Sequence, residues 1–267
     1  MRKTVLVTGG ALRLGAHLCE AFAAAGWEVW CHYQRSADAA QALRARLAQQ
    51  GQTLHLVQAN LSDEAERRQM MAHIRSRSGP LTALVNNASS FEPDEADEID
   101  VAGARSQLEV NLIAPLALSA LLAQDAKADG AGGGPSGDRC VIHILDQKVF
   151  NLNRDYFSYT VTKLALERAV ALQAQALAPA VRVCGVAPGL MFVSGPQSPE
   201  NFEAAGKVNL MRRPTDPAQV AASCVFLAQN PCVTGVTLTV DNGQHLVPLE
   251  RDVMFVVDNL MKDRHAG

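Results

Sequence analysis

The chain has 267 residues, of which 48% are hydrophobic and 19% charged, and its formal net charge is −3. A chain of this length and composition can bury a large core, and we expect a single domain. The weak net acidity provides no broad cationic surface for nucleic acid or for an anionic membrane, so neither partner is expected.

Hydropathy and cysteine usage bear on location and on metal binding. No stretch approaches the roughly 18–20 apolar residues of a membrane span, and only a short apolar run precedes the first glycines, so we expect a cytoplasmic protein. The six cysteines are scattered without Cys-x2-Cys pairs, and the seven histidines show no ligand spacing. The sequence therefore predicts reduced core thiols, with no disulfide framework and no metal site.

Seven short apolar runs alternate with longer stretches of helical patterning. Runs that are apolar throughout are typical of parallel strands buried on both faces. The alternation predicts an α/β fold, namely a single-domain, Rossmann-like, doubly wound sheet of about seven parallel strands flanked by helices. The predicted strands are residues 4–7, 29–32, 54–57, 83–85, 140–145, 182–186 and 237–240.

Helices are predicted from apolar spacing and from the residues typical of helix ends. Leu14, Leu18 and Phe22 recur at helical spacing, and Gly26 occupies the position of a C-terminal cap. Ser62 is the candidate N-cap of the third helix. The predicted helices are residues 15–25, 37–50, 62–76, 105–126, 156–178 and 217–229, the last preceded by Asp216 and opening with Pro217.

Three segments fall outside this alternation. Residues 129–138 are glycine-rich but follow a helix and precede a strand, the wrong order for a phosphate site at a helix N-terminus, so we expect a flexible surface loop. Residues 188–215 form a long connection at the edge of the sheet where ligands bind, and we predict a substrate lid. Residues 246–267 follow the main domain, 1–245, and contain an apolar stretch, 253–257, that we expect to cover a pocket or pack on a neighbouring subunit.

A glycine-rich turn joins the first strand to the first helix. Between Gly9 and Gly15, backbone N–H groups and the helix dipole could receive a pyrophosphate. The stretch 32–36, at the end of the second strand, contains no acidic residue to accept from ribose hydroxyls. Arg35 can pair with a 2′-phosphate and Ser36 can donate to it, which favours NADPH, although Arg35 could also be an ordinary solvated arginine.

Tyr159 and Lys163 form the most informative pair in the chain. On a helix they share one face, and an ammonium group near a phenol favours the phenolate and lowers the phenol pKa. Asp146, thirteen residues before the tyrosine, adds a carboxylate. Together they predict a site of proton delivery, although Tyr-x3-Lys also occurs by chance on amphipathic helices and Asp146 could be an N-cap or loop residue.

Several motifs occur in the order found in one enzyme family. They are Thr8-Gly9 to Gly15, Asn86-Asn87-Ala88 after the fourth strand, Asn111 in a central helix, Tyr159-x3-Lys163, and Pro188-Gly189 after the sixth strand. From about residue 3 to 245 the chain thus resembles the short-chain dehydrogenase/reductase family. The resemblance implies that Tyr159 is the general acid/base, that Lys163 also holds the nicotinamide ribose, and that Asn111 anchors a water that relays protons to Lys163. It also implies a homotetramer assembled partly through the helices that carry Asn111 and Tyr159.

Departures from the common family pattern narrow the resemblance. Arg13 stands where glycine is usual, Asp146 stands where most members have serine, and the stretches after the second and fourth strands also differ. In these features the chain looks like the pteridine reductase branch and its bacterial relative dihydromonapterin reductase. The resemblance implies that Arg13 touches cofactor phosphate and substrate, and that Phe91 stacks on a pterin against the nicotinamide. Phe91 could instead simply pack against the core.

The predicted activity is reduction of a dihydropterin to a tetrahydropterin, with hydride from NADPH and a proton from Tyr159 assisted by Lys163 and Asp146. A carboxyl group at position 146 suits a substrate rich in ring nitrogens. The alternatives are a general NADPH-dependent carbonyl or quinone reductase and a non-catalytic NADP(H)-sensing protein.

The predicted catalytic residues are Asp146, Tyr159, Lys163 and Asn111. The predicted cofactor-binding residues are Gly9, Arg13, Leu14, Gly15, Tyr33, Arg35, Ser36, Asn60, Leu61, Asn87, Ala88, Ser89, Tyr159, Lys163, Pro188 and Gly189. The predicted substrate-binding residues are Arg13, Ser89, Phe91, Asp146, Tyr159, Gly189 and Leu190.

Overall fold

The computed structural model describes residues 3–130, 139–195 and 197–266. Its strands form one sheet in the order β3-β2-β1-β4-β5-β6-β7, and all neighbouring strands are parallel. The predicted fold class is therefore confirmed. The strands are β1 Thr4–Val7, β2 Glu28–Tyr33, β3 Leu54–Gln58, β4 Ala83–Asn86, β5 Arg139–Ile144, β6 Val181–Pro188 and β7 Thr237–Val240.

Helices cover both faces of the sheet. The core of one face includes residues of α1, α2 and α8, and that of the other includes residues of α3 and α5. The helices are α1 Arg13–Ala24, α2 Ala37–Gln49, α3 Glu64–Ser78, α4 Val101–Leu108, α5 Ala114–Gly130, α6 Phe157–Leu177, α7 Pro199–Ala205, α8 Pro217–Gln229 and α9 Val253–Ala266. A π-helical segment, Glu109–Ile113, joins α4 to α5, and single 3-10 turns lie at Gln147–Val149 and Gln244–Leu246.

The central strands are mostly apolar because both of their faces are covered. In β1, Val5 and Val7 pack into the first core, whereas Leu6 between them packs into the second. Successive side chains of a strand point to opposite faces, so a strand between two helical layers favours apolar residues at successive positions. The reversal of strand order between β1 and β4 leaves a crevice at the carboxyl edge of the sheet, where ligands bind in such folds.

The helices differ from the sequence prediction in three places. The side chain of Asp63, not Ser62, caps α3 by accepting from Glu66 N, whereas Ser62 N donates to Asn60 Oδ1 within the preceding turn. The predicted central helix, 105–126, is longer and contains the π-helical segment. Helices α7 and α9 were not predicted. Helix α7 is too short to show a periodic pattern of apolar residues, and the polarity of α9 is too irregular to show one.

Two other predictions concern the central helix and the loop after it. The continuous helical stretch 101–130 is long and apolar enough to cross a membrane by length and composition, contrary to the prediction that no segment approaches a span. However, Leu118 and Leu122 in it are fully buried in the second core, as in the core helix of a globular domain. Residues 131–138 of the predicted glycine-rich loop lie outside the described residues, while Asp129 and Gly130 end α5.

Candidate active site

A cavity of about 780 Å³ opens at the carboxyl edge of the sheet. The segments that follow four parallel strands meet there: the turn after β1, residues 87–89 after β4, Asp146 after β5 and Gly189 after β6. The start of α6, the connection between β6 and α8, and the first residues of α9 complete the wall. This is the position that the topology of the sheet favours for a ligand.

Most of the predicted site residues line this cavity. They are Gly9, Arg13, Leu14, Gly15, Ser36, Asn60, Leu61, Asn87, Ala88, Ser89, Phe91, Asp146, Tyr159, Lys163, Pro188, Gly189 and Leu190. Three predicted residues, Tyr33, Arg35 and Asn111, are not on the wall. Residues from almost the whole length of the chain therefore converge on one site.

Tyr33 and Arg35, predicted to bind the cofactor, lie next to residues of the cavity wall but not on it, and their role stays a prediction. His32, Gln34 and Ser36 line the cavity, whereas Tyr33 and Arg35 do not. Tyr33 is half-buried against the first core, and Arg35 is exposed. Of the two residues expected to recognise a 2′-phosphate, Ser36 is the one that the structure places on the wall.

Asp146 connects the tyrosine to the loop that follows β5. The hydroxyl of Tyr159 donates to Asp146 Oδ2 at 3.0 Å. The other carboxylate oxygen, Oδ1, accepts from Lys148 N at 2.9 Å and caps the 3-10 turn Gln147–Val149. The two interpretations of Asp146 are therefore compatible, because capping with one oxygen fixes the side chain and directs the other oxygen at the phenol.

The expectation that Lys163 lowers the pKa of Tyr159 is wrong for this structure. Burial raises the pKa of Tyr159 well above its usual value, and the adjacent Asp146 carboxylate raises it further. Lys163 donates to Ile144 O at 2.8 Å, and burial lowers the pKa of Lys163 to about 8. The carboxylate contacts the phenol directly, whereas the ammonium group lies 5.6 Å from the centre of the ring. Tyr159 consequently keeps its proton at neutral pH.

Asn111 is buried beneath the cavity wall and holds a loop in place. It lies in the π-helical segment, and irregular helical turns of this kind often occur at functional sites. Its Oδ1 accepts from Ser90 N at 2.7 Å and from Ser89 Oγ at 3.2 Å. Its Nδ2 donates to Ser90 O at 2.8 Å and to Thr162 Oγ1 at 3.2 Å. Asn111 thus ties the loop after β4 to the helix that carries the tyrosine.

His32 supports the glycine-rich turn from below, a role that the sequence did not reveal. Gly9 N donates to His32 Nδ1 at 3.0 Å, so Nε2 carries the proton and donates to Ala59 O at 3.0 Å. Burial lowers the pKa of His32, which agrees with this neutral form. Its only sequence signal is a polar residue within an otherwise apolar strand.

The turn itself leaves no space for larger residues. Gly9 has φ +61°, and a Cβ on Gly15 would lie 2.0 Å from Gly9 O. Asn87 Nδ2 donates to Thr8 O at 2.9 Å and to Gly9 O at 3.1 Å, which joins the turn to the end of β4. The first turn of α1 therefore approaches the cavity with its backbone, as a bound pyrophosphate requires.

Arg13 and Phe91 lie at the mouth and on the wall of the cavity. Arg13 has φ +50°, and its guanidinium group donates to Val193 O at 3.2 Å and lies 5.1 Å from the centre of the Phe192 ring. Phe91 is 39% exposed and so is not a core residue. Its ring stacks on Tyr156 with centroids 4.1 Å apart and meets Tyr159 edge-on at 4.6 Å.

Several cavity residues were missed because they are brought in by tertiary packing. Lys148 and Tyr156 flank the predicted Asp146 and Tyr159, and Asp252 and Met254 come from the C-terminal segment. The C-terminal segment is thus placed against the cavity in this chain. An apolar stretch after the last strand was the only signal in the sequence.

A parallel sheet in this strand order, with a glycine turn and a tyrosine–lysine pair at its carboxyl edge, defines a Rossmann-type nucleotide-dependent oxidoreductase. A family model described as enoyl-(acyl carrier protein) reductase matches residues 10–245. The chain belongs to the short-chain dehydrogenase/reductase family, as its motifs indicated. It is an oxidoreductase of this family, although the substrate named by the model is not thereby its own.

Among known proteins, the chain is similar to pterin-reducing members of the family. It is 32% identical to pteridine reductase 1 of Leishmania tarentolae, over 90% of this chain and 96% of that protein. It is 24% identical to dihydromonapterin reductase of an Enterobacter species, over 92% and 98% respectively. The crystal structure of FolM alternative dihydrofolate reductase 1 from Brucella canis, complexed with NADP, superposes with a TM-score of 0.84 at 35% identity, over 91% of this chain and 94% of that one.

Proposed function

We propose that this protein reduces a dihydropterin to a tetrahydropterin with NADPH. The observation that carries the proposal is the 3.0 Å hydrogen bond from Tyr159 to Asp146 on the wall of the cavity that also contains the glycine turn. In this hydrogen bond a proton donor, Tyr159, lies beside a carboxylate, Asp146. By the resemblance described above, most members of the family carry a serine at the position of Asp146. The similarity to pteridine reductase 1 and to dihydromonapterin reductase supports the same substrate class.

The chemistry adds one hydride and one proton across a C=N bond of the pterin ring. NADPH, when bound, supplies the hydride to the ring carbon and leaves as NADP+. Tyr159 gives its proton to the ring nitrogen, since the phenol carries that proton at neutral pH. Asp146 accepts the hydrogen bond of the phenol and is close enough to take part in returning a proton to it, and the Lys163 ammonium group lies 5.6 Å from the centre of the ring.

The residues of the cavity fit a phosphorylated dinucleotide. The turn from Gly9 to Gly15 can receive the pyrophosphate on its backbone, because neither position has space for a side chain. Ser36 faces the cavity at the end of β2, where no carboxylate is present to repel a 2′-phosphate. Arg13 adds a positive charge at the mouth. A preference for NADH over NADPH in a turnover assay would contradict this assignment.

The aromatic wall fits a flat heterocycle. Phe91 presents a partly exposed ring beside Tyr159, and the resemblance to pteridine reductases assigns this ring to stacking on the pterin. A general carbonyl or quinone reductase would share the tyrosine and lysine but would not need Asp146. A non-catalytic nucleotide sensor would have no use for the hydrogen-bonded Tyr159–Asp146 pair.

The experiment compares Asp146→Ser with the native enzyme on a dihydropterin and on a simple ketone. Serine still caps the 3-10 turn, so the loop is expected to keep its shape. We expect kcat/KM for the dihydropterin to fall about a hundredfold, since a group taking part in proton transfer is lost, and kcat/KM for the ketone to change much less. Asp216→Ser, which makes the same change at the N-cap of α8 and away from the cavity, is the matched control.

Equal losses with both substrates would contradict the role of Asp146 in pterin reduction. Absence of NADPH oxidation with any dihydropterin, together with turnover of ketones or quinones, would favour the general reductase instead.

The homotetramer, the cytoplasmic location and the lid at residues 188–215 stay predictions. The exposed apolar side chains Ile113, Val161 and Leu172 support assembly through the central helices.

A further inference from the structure

A second pair of charged groups lies on the cavity wall beside the tyrosines. Lys148 is only 3% exposed, and its Nζ donates to Asp155 O at 2.5 Å. The same Nζ lies 4.0 Å from Asp252 Oδ2 and 5.3 Å from the centre of the Tyr156 ring. Both Lys148 and Asp252 line the cavity, and neither is needed for the proton delivery described above.

The C-terminal segment is held firmly enough to keep Asp252 in this position. The Asp155 carboxylate accepts from Arg251 Nε at 2.8 Å, from Arg251 Nη2 at 2.6 Å and from Asp252 N at 2.6 Å. Met254 packs in one buried cluster with Tyr156 and Tyr159. Asp252 is therefore preorganised next to the proposed proton donor.

Both charged groups have unused hydrogen-bonding capacity. Asp252 Oδ1 accepts from Met254 N at 3.2 Å and caps α9, but among the described residues no donor is hydrogen-bonded to Oδ2. The separation of 4.0 Å between Oδ2 and the ammonium group is too long for a hydrogen bond. An ammonium group has three donors, and Asp155 O takes one of those of Lys148. The Asp252 side chain is 28% exposed, so its free oxygen is accessible to a ligand.

An adjacent acceptor and donor of this kind suit a hydroxyl group, which both donates and accepts. We propose that Asp252 and Lys148 bind the hydroxylated side chain of the substrate, Asp252 by accepting from a hydroxyl and Lys148 by donating to one. The inference rests on the proposed pterin reductase function and specifies the substrate within it. It assigns the C-terminal segment to substrate selection and favours a neutral, polyhydroxylated side chain over an apolar one.

The test uses two dihydropterins that differ only in the ring substituent. One carries a trihydroxypropyl group and the other a methyl group in its place, and each is assayed with the native enzyme and with Asp252→Asn. Asparagine removes the charge but is as good an N-cap as aspartate. Glu250→Gln is the control, because it removes a charge two residues away on an exposed side chain outside the cavity.

We expect Asp252→Asn to lower kcat/KM for the trihydroxypropyl substrate about tenfold, mainly through KM, as loss of a hydrogen bond to a charged group does. Activity with the methyl substrate should stay within about twofold of the native value, and Glu250→Gln should leave both unchanged. Equal losses with both substrates, or no loss with either, would overturn the inference.

Thermal unfolding of each variant separates a folding defect from a binding defect. If Asp252→Asn does not fold, Asp252→Ser, which also caps the helix, takes its place in the same comparison. If the native enzyme reduces neither dihydropterin, the proposed function itself fails and this inference fails with it. If the native enzyme reduces both and the variant shows no selective loss, only the inference fails.

Discussion

Replacing Tyr159 with phenylalanine removes the proton donor and little else. Tyr159 is only 6% exposed, and a phenylalanine ring at this position would pack against Phe91 and Met254 as the tyrosine ring does. The lost hydroxyl makes one hydrogen bond, to Asp146 Oδ2 at 3.0 Å. Asp146 keeps its bond from Lys148 N, so the carboxylate is not left without a donor.

The expected loss is much larger in rate than in stability. A positioned general acid contributes about 10²- to 10⁴-fold, which corresponds to about 3–5 kcal/mol of activation free energy. Loss of a single hydrogen bond to the partly exposed Asp146 should lower the free energy of unfolding by only about 1–2 kcal/mol. The affinity for NADPH should change little, because the hydroxyl of Tyr159 points at Asp146.

Single-turnover oxidation of bound NADPH by a dihydropterin measures the chemical step, and fluorescence titration measures NADPH affinity. Tyr156→Phe provides the matched control, because it removes the same hydroxyl from the neighbouring buried tyrosine, which stacks on Phe91. A Tyr159→Phe enzyme that turns over within about tenfold of the native rate would refute the assignment. So would an equal loss in Tyr156→Phe.

Two further predictions concern pH. Burial lowers the pKa of Lys163 to about 8, so the ammonium group is lost above that pH and kcat/KM for NADPH should fall there; a profile level to about pH 10 would contradict this. Burial lowers the pKa of His143 to about 4, so below its usual value of 6.5 the unfolded chain binds a proton that the folded chain excludes. The free energy of unfolding should therefore fall by up to about 3 kcal/mol between about pH 6.5 and pH 4, and urea titrations of His143→Gln, whose amide can still bond to Gln173, should show a smaller fall.

Local patterns were sufficient for most of the fold because they reflect burial. Every predicted strand is present, and β1 and β7 have the predicted bounds. The inner strands could be recognised because a strand covered on both faces favours apolar residues at successive positions. Helix α8 also begins and ends as predicted, with Asp216 as its cap. Helix α7 carries a readable start, Ser198 followed by Pro199, but its seven residues are too few to show a period.

The residue types of the site were likewise set by the sequence. Four-residue spacing on a helix puts Tyr159 and Lys163 on one face in any fold that keeps the helix, and a turn that only glycine permits identifies the phosphate-binding edge. Whether Tyr33 and Arg35 contact the cofactor stays a prediction, because the place of a residue in the sequence does not give the orientation of its side chain at the end of a strand. That orientation depends on what packs against each side of the strand.

Tertiary structure decided the electrostatics and the shape of the pocket. Whether the pKa of Tyr159 is raised or lowered depends on burial and on which charge lies nearer, and only the fold puts Asp146 at hydrogen-bonding distance and the ammonium group beside the ring. The pairing of Lys148 with Asp252 joins residues far apart in the chain. Interaction energies between charges depend on separation in space and on local polarity, and sequence spacing specifies neither once residues lie on different elements.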